Sequence, residues 1–314
     1  MKIMITGAAG WLGRKVTAHL EHDHELLLTD AADPAEATIF DGTAPGGRRR
    51  VPLQTDWPYL RADLSDTARL ERFARGADAV IHLAAIPVGD WNILMPTMQT
   101  NVMGTTGILE LVRTLGIRRF VNASSINAFG TFFWRVSGLD PVRRELPLTE
   151  DERPTPEDPY SLTKFLTEEV GHAYHRAFGI EVVNLRFAGV LSDQRYQKMI
   201  TDGLPPTEAF PVDLGQWVHE EDVAAGIVLA ATVPTVTSAP TVLGAGDTRL
   251  PEPTMEIIHR FRPDLEPYLT EPLPGRAPLL SITRARARLG YQPQFSLDRA
   301  KLTPSGPGSA ADSR

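Results

Sequence analysis

A chain of 314 residues, 42% hydrophobic and 23% charged, has the composition of a globular protein with room for a core of several layers, which excludes wholesale disorder. Its 32 basic and 39 acidic residues leave a net charge of −7, which argues against nucleic acid or an anionic membrane as partner, and no run approaches the roughly 18 apolar residues of a spanning helix. Cysteine is absent, so disulfides, thiolate zinc sites, iron–sulfur clusters and a cysteine nucleophile are excluded together, and a cytoplasmic location is expected.

In chain order, Lys2–Thr6 reads as a buried strand and passes at once into glycines, unlike a signal peptide. Trp11–Leu20 has helical spacing, Glu25–Asp30 reads as a second strand, and Ala31–Pro58 as a loop or insertion. The dense basic cluster Arg48-Arg49-Arg50 falls in that insertion and reads as a solvated loop. Thr67–Ala74 (helix), Ala79–Ala84 (strand), Thr97–Leu115 (helix) and Arg119–Ser124 (strand) continue the alternation. Ile81, Leu83, Ile108, Leu111, Val112 and Leu115 are expected to face a shared core. Thr131–Pro159 reads as a second insertion, with the aromatic cluster Phe132-Phe133-Trp134. Tyr160–Phe178 (helix) and Glu181–Phe187 (strand) follow. Such alternation predicts βαβ units, hence an α/β protein with a doubly wound parallel sheet covered by helices on both faces.

After about residue 190 prolines interrupt the pattern, and helical patches remain at Asp222–Ala231, Thr254–Phe261 and Thr283–Leu289. The expected organisation is a nucleotide-binding part over 1–190, a smaller substrate-binding region over 191–303 on the carboxyl edge of the sheet, and a disordered Ser/Gly/Ala/Pro-rich tail over 304–314.

Thr6-Gly7-Ala8-Ala9-Gly10-Trp11-Leu12-Gly13 follows a strand and opens a helix. A dinucleotide pyrophosphate needs a backbone with no Cβ in the way, so that amide groups and the helix N-terminus can approach it. The pattern is GxxGxxG rather than GxGxxG, and three glycines alone are also consistent with a plain tight turn. Asp30, ending the second strand, could accept both hydrogen bonds of an adenosine ribose diol and would repel a 2′-phosphate, which favours NAD over NADP. Arg14 and Lys15 could sit near such a phosphate but read better as a solvated helix face.

Tyr160 and Lys164 stand at i and i+4, on one helical face. That arrangement suits proton transfer beside a hydride transfer. A phenol with an ordinary pKa near 10 must come down toward neutrality, a preference for phenolate of roughly 4 kcal/mol that a nearby ammonium and a positive nicotinamide can supply. On its own YxxxK is common on surface helices. Here Ser124-Ser125 close the preceding strand at the edge where α/β sheets bind ligands, and a serine hydroxyl there can hydrogen-bond the same substrate oxygen. His19, His22 and His24 read as a solvated turn rather than a metal site, and His82 as a hydrogen-bonded core histidine.

With these residues in view, the sequence resembles the extended short-chain dehydrogenase/reductases, the NAD-dependent epimerase/dehydratase group, over roughly residues 1–300. The blocks that carry the likeness are TGAAGWLG (6–13), ADLSD (62–66), HLAA (82–85), NVMGTTGILE (101–110), RRFVNASS (118–125), YSLTK (160–164), LRFAGV (185–190), WVHEEDVA (217–224) and LGYQP (289–293). The resemblance implies a Rossmann fold and NAD held by Gly7, Ala9, Gly10, Trp11, Leu12, Gly13, Asp30, Asp63, Leu64, Leu83, Ala84, Ala85, Asn101, Ala123, Tyr160, Lys164, Phe187, Ala188 and Val190. It implies Ser125 (chosen over Ser124 by its spacing to Phe129-Gly130), Tyr160 and Lys164 as the catalytic set, with no metal. Ser125, Ile126, Asn127, Tyr160 and His219 would meet a small-molecule substrate. The two long helices over 97–115 and 160–178 would form a homodimer interface.

Two departures narrow the expectation. Ile126 and Asn127 stand where sugar-nucleotide dehydratases carry Asp-Glu, so no acid/base for eliminating water is evident. Leu191-Ser192-Asp193 replaces the Tyr-Gly-Pro of many sugar-nucleotide epimerases. The expected activity is therefore an NAD-dependent oxidoreductase acting on a secondary alcohol or ketone of a polar, sugar-like or natural-product substrate. The alternatives are an epimerase with tightly held NAD, then a dehydratase or a non-catalytic NAD-binding protein.

Overall fold

A computed structural model describes residues 1–40, 47–130, 135–139, 145–234 and 238–298. The elements are β1 (Lys2–Thr6), α1 (Trp11–Leu20), β2 (Glu25–Asp30), β3 (Thr38–Phe40), β4 (Arg48–Arg50), β5 (Tyr59–Arg61), α2 (Thr67–Ala74), β6 (Ala79–His82), α3 (Leu94–Thr97), α4 (Gly104–Leu115), β7 (Arg119–Ser125), α5 (Pro159–Phe178), β8 (Glu181–Phe187), β9 (Val190–Leu191), α6 (Asp193–Asp202), β10 (Val218–His219), α7 (Glu220–Thr232), β11 (Thr241–Leu243), α8 (Thr254–Phe261) and α9 (Thr283–Leu289). Seven strands form one sheet in the order β11-β8-β7-β6-β1-β2-β5, and every pairing in it is parallel. The strand order reverses between β1 and β6, which opens a crevice at their carboxyl ends.

Period-two alternation along the strands builds two core layers. Ile3 and Ile5 of β1 face a layer filled by Val16 and Leu20 of α1 and by Val223, Ala224 and Ile227 of α7. Met4, between them, faces the other layer, with Leu70 of α2 and Ile108, Leu111 and Val112 of α4. Val80 joins α4 in that second layer, whereas Ile81 points to the first. The single core expected for Ile81 and α4 is thus two cores separated by the sheet.

Helix α5 shows why its boundaries fall where they do. Asp158 caps it by accepting from Ser161 N at 2.9 Å, Pro159 opens it, and Gly179 closes it at φ +69°. The expected helix from Thr97 starts earlier, at Leu94, and passes through a π-helical stretch at Met98–Met103. Residues 31–58 are not all loop: β3 and β4 pair antiparallel, so the three arginines 48–50 lie in a strand, though exposed. Beyond residue 190 the chain adds α6, and β11 joins the central sheet while α7 fills its first core layer. A cut at residue 190 would therefore split one core. The expected tail over 304–314 lies outside the described residues.

The turn between β1 and α1 is packed closely against its neighbours. Gly7 has φ +70°, and a Cβ there would meet Ala84 N at 2.7 Å. A Cβ on Gly13 would stand 2.3 Å from the Gly7 carbonyl oxygen and 2.7 Å from Ala8 Cα, all backbone and unable to yield. Gly13→Ala is expected to destabilise the chain by about 1–3 kcal/mol and to lower the melting temperature by several degrees. A melting curve that matches wild type would show that the turn is looser than this packing.

Candidate active site

The carboxyl ends of β1, β2, β5 and β6 surround a cavity of about 240 Å³. Thr6, Gly7 and Gly10 form its floor, Thr29, Asp30 and Ala31 one side, Ala62, Asp63 and Leu64 another, and Leu83, Ala84 and Ala85 the third, with Thr100 and Arg48 at its margin. Asp30 fastens the glycine turn to β2. Its Oδ2 accepts from Ala9 N at 3.1 Å and its Oδ1 from Ala32 N at 3.0 Å. The Ala9 amide is thus turned to Asp30 rather than held open for a phosphate, and an acceptor face of Asp30 remains for a ribose diol. Asp63 accepts from both Ser65 N (2.9 Å) and Ser65 Oγ (2.7 Å), which hold its carboxyl below the usual range. Leu12 packs into the first core layer, and the Trp11 indole N–H donates to Glu220, so the side chains of both point away from the cavity. The start of α1 offers backbone amides to an anion, as a helix N-terminus does. This set of donors, acids and glycines fits the adenosine and pyrophosphate of NAD.

Arg14 and Lys15 are not a solvated face. Arg14 donates to the carbonyls of Ala9, Val51 and Pro52, and Lys15 pairs with Glu220 (3.3 Å) and Glu221 (2.6 Å). His19 Nε2 lies 2.7 Å from Glu221 Oε2.

Ser125 and Tyr160 come together beside this cavity's strands, at the end of β7. The Ser125 hydroxyl lies close enough to the Tyr160 phenol to draw its pKa down, and Ser125 Oγ accepts from Asn127 N at 3.1 Å. Lys164, one turn further along α5, donates from Nζ to the Ala123 carbonyl at 2.6 Å and lies 5.6 Å from the Tyr160 ring centre. Burial pushes the Tyr160 phenol up to about 12, against the downward pull of the Ser125 hydroxyl. Burial also brings the Lys164 amine down to about 8, opposed by the Glu168 carboxylate. Near neutral pH the pair is therefore a neutral phenol and an ammonium.

Behind these groups stands a layer that motif reading did not find. Buried Glu168 accepts from Ser124 Oγ at 2.5 Å and pairs in a two-point fork with buried Arg186, at 2.9 and 2.7 Å. The Arg186 guanidinium lies 4.3 Å from the Phe129 ring centre. Glu168 follows Lys164 by one helical turn, and that i,i+4 acid was the available signal. Asn101, expected to touch cofactor, is 1% exposed; its Oδ1 accepts from Ile86 N, and its Nδ2 donates to Ile86 O and Thr163 Oγ1. It braces the loop after β6 against α5.

The other expected site residues divide. Phe187 stands opposite Ser125 in the β7–β8 register, Ala188 N donates to Leu243 O, and Val190 lies in β9 paired with Val218, so of the three the register brings only Phe187 to Ser125. Asn127 is buried with its Oδ1 unpartnered. Ile126 is part of the first core layer and is corrected from substrate contact to packing. His219 is fully buried, stacked on Phe295 at 3.5 Å and edge-on to Tyr196 at 5.0 Å, with Nδ1 accepting from Glu221 N. That enclosure serves packing rather than substrate contact. Phe132, Phe133 and Trp134 lie outside the described residues.

The model of the NAD dependent epimerase/dehydratase family matches residues 3–246. The chain belongs to this family. It is accordingly an NAD-dependent enzyme of the extended short-chain dehydrogenase/reductase type. It is 26% identical over 245 residues to a dTDP-glucose 4,6-dehydratase from Streptomyces antibioticus, covering 74% of this chain and 69% of that protein. It is 30% identical over 202 residues to the uncharacterized UDP-glucose epimerase YtcB of Bacillus subtilis, covering 63% and 60%. In fold it is similar to a short-chain dehydrogenase/reductase superfamily protein from Agrobacterium tumefaciens with bound NAD, at TM-score 0.66 and 23% identity, covering 95% of this chain and 94% of the other.

His82 gives this family member a checkable pH response. Its ring bridges Thr6 Oγ1 (2.7 Å) and Thr105 Oγ1 (3.0 Å), and burial, helped by the Lys164 charge, brings its pKa down to about 3. The unfolded chain binds a proton here as pH falls through about 6.5, and the folded chain does not. The contribution is therefore complete above that pH and shrinks as pH falls toward 3, by about 2 kcal/mol at pH 5. His82→Gln should lose less thermal stability than wild type between pH 7 and pH 5; equal losses in differential scanning fluorimetry would contradict this.

Proposed function

We propose that the chain is an oxidoreductase that moves a hydride between NAD and a secondary alcohol or ketone carbon of a polar, sugar-like substrate. The observation that carries this reading is the convergence of the Ser125 hydroxyl and the Lys164 ammonium on the Tyr160 side chain, with Lys164 one helical turn away. Bound NAD supplies the hydride acceptor and, in its oxidised form, a positive ring. Ser125 orients the substrate oxygen by hydrogen bonding. Tyr160 takes the alcohol proton in oxidation and returns it in reduction. Lys164, fixed by the Ala123 carbonyl, favours the phenolate at the moment of transfer. The raised pKa keeps Tyr160 protonated near neutrality, so forming the phenolate that takes the alcohol proton depends on positive charge brought by the cofactor.

A second reading is an epimerase, in which the oxidised intermediate is reduced on its other face and NAD is regenerated. It is supported by the UDP-glucose epimerases among the relatives. Residues 191–303 would carry further substrate contacts. The exposed Met95 and Met103, with Phe178 ending α5, support a homodimer through the α3–α4 and α5 surfaces.

Purified protein mixed with NAD and a panel of free sugars and nucleotide sugars separates the readings. Stoichiometric growth of the reduced-nicotinamide absorbance supports the dehydrogenase, and product without net reduction supports the epimerase. Tyr160→Phe is expected to cut turnover about 100-fold or more with NAD affinity retained. Wild-type turnover in that variant would end both readings.

A further inference from the structure

The β3–β4 hairpin stands outside the central sheet, pairing Thr38 with Arg50, Ile39 with Arg49 and Phe40 with Arg48. Its three consecutive arginines are all exposed, yet the chain uses them differently. Arg50 donates to the Ala35 carbonyl at 3.1 Å and pairs with Glu36 at 2.5 Å. Arg49 borders a separate hollow beside Trp11 and Lys15. Arg48 alone of the three lines the adenosine-sized cavity, where Asp30 and Asp63 are the other charged groups. Its own bonds run from Nε to Thr38 Oγ1 at 3.0 Å and from Nη2 to the Thr38 carbonyl at 3.5 Å. These hold the side chain on the facing strand and leave the planar guanidinium with donors to give.

The pocket's two acids can only accept hydrogen bonds, so a charged donor to the ligand must come from elsewhere. Each Asp30 oxygen holds one backbone amide, and Asp63 is tied to Ser65. An adenosine offers a π-face and ring-nitrogen acceptors, which suit a guanidinium that can stack and donate at once. We propose that Arg48 is a cofactor-binding residue whose guanidinium contacts the adenosine half of NAD, so that cofactor affinity depends on the β3–β4 hairpin. This rests on the NAD site described above. It accounts for a short, arginine-bearing hairpin beside the cavity and outside the central sheet.

The test is isothermal titration calorimetry of the full chain with NAD and with ADP-ribose, which keeps the adenosine half and lacks nicotinamide. Arg48→Ala, at an exposed position, should weaken both ligands by the same factor, about 3- to 30-fold, with an unchanged melting temperature in their absence. Arg48→Lys, which keeps charge but not the plane, should fall between. If Arg48→Ala leaves NAD affinity within twofold of wild type while Asp30→Ala weakens it, Arg48 is not a cofactor residue and the site stands. If neither substitution changes affinity, the adenosine site itself is misplaced and the proposal fails with it. A loss for NAD but not for ADP-ribose, or for NADP alone, would likewise overturn the adenosine assignment.

Discussion

The bond from Lys164 Nζ to the Ala123 carbonyl, 2.6 Å long and buried, sets the geometry on which the site depends. It ties the first turns of α5 to the last residues of β7, so that Tyr160 meets Ser125 across a gap that 34 intervening residues do not otherwise define. An ammonium taken out of water is costly unless its donors are satisfied and an opposite charge is near. Here the carbonyl takes one donor and Glu168, one turn along, supplies the charge. Glu168 is itself held by Arg186 on β8 and by Ser124 on β7. Tyr160 and Lys164 are thus held in place through the sheet, by way of β7 and β8.

Burial acts on three titratable groups within this block and moves each toward its neutral form: the Tyr160 phenol up to about 12, the Lys164 amine down to about 8, and His82 down to about 3. Their spacing matters more than any one of them. His82 stays neutral and adds no second cation beside Lys164, which would lower the amine further. Lys164 keeps its proton near neutrality, and Tyr160 waits for additional positive charge before it can yield its own. A nicotinamide ring in its oxidised state carries such charge, which the proposed chemistry would draw on.

Much of this was legible in the sequence because parallel strands buried on both faces are written as uninterrupted aliphatic runs. β1, β2 and β8 fall on the expected residues, and β6 and β7 differ at one end. What alternation did not reveal is where tertiary contacts override local pattern. β5 and β11 have three residues each, too few for a period, and owe their strand character to the neighbours they pair with. The expected α4 core merged two layers because strand residues 80 and 81 were not assigned to opposite faces. Within the site, the glycine turn, Asp30 and the Ser–Tyr–Lys set were readable from spacing. Glu168 and Arg186 were not, since their value lies in each other's side chains, and Asn101, expected at the cofactor, bonds Ile86 and Thr163 instead. His219 misled in the opposite direction, its block resembling a substrate-facing one while its ring packs on Phe295.

Glu220 shows why the residues beyond 190 cannot be treated as an appended lobe. It is buried, it accepts from the Trp11 indole at the first residue of α1, it lies 3.3 Å from Lys15 Nζ, and it accepts from Asp193 N at the start of α6. One carboxylate therefore joins the helix whose N-terminus would face the pyrophosphate to the first helix of the expected substrate region. Asp222, two residues on, accepts from Gln294 N and Phe295 N and so binds the closing segment to α7. A displacement of α1 on filling the cofactor cavity would be resisted by these bonds or carried through them, because a buried carboxylate cannot release its donors without leaving a charge unpaired. The same few acids that complete the fold thus make the placement of α6 and of the closing segment conditional on the placement of the glycine turn.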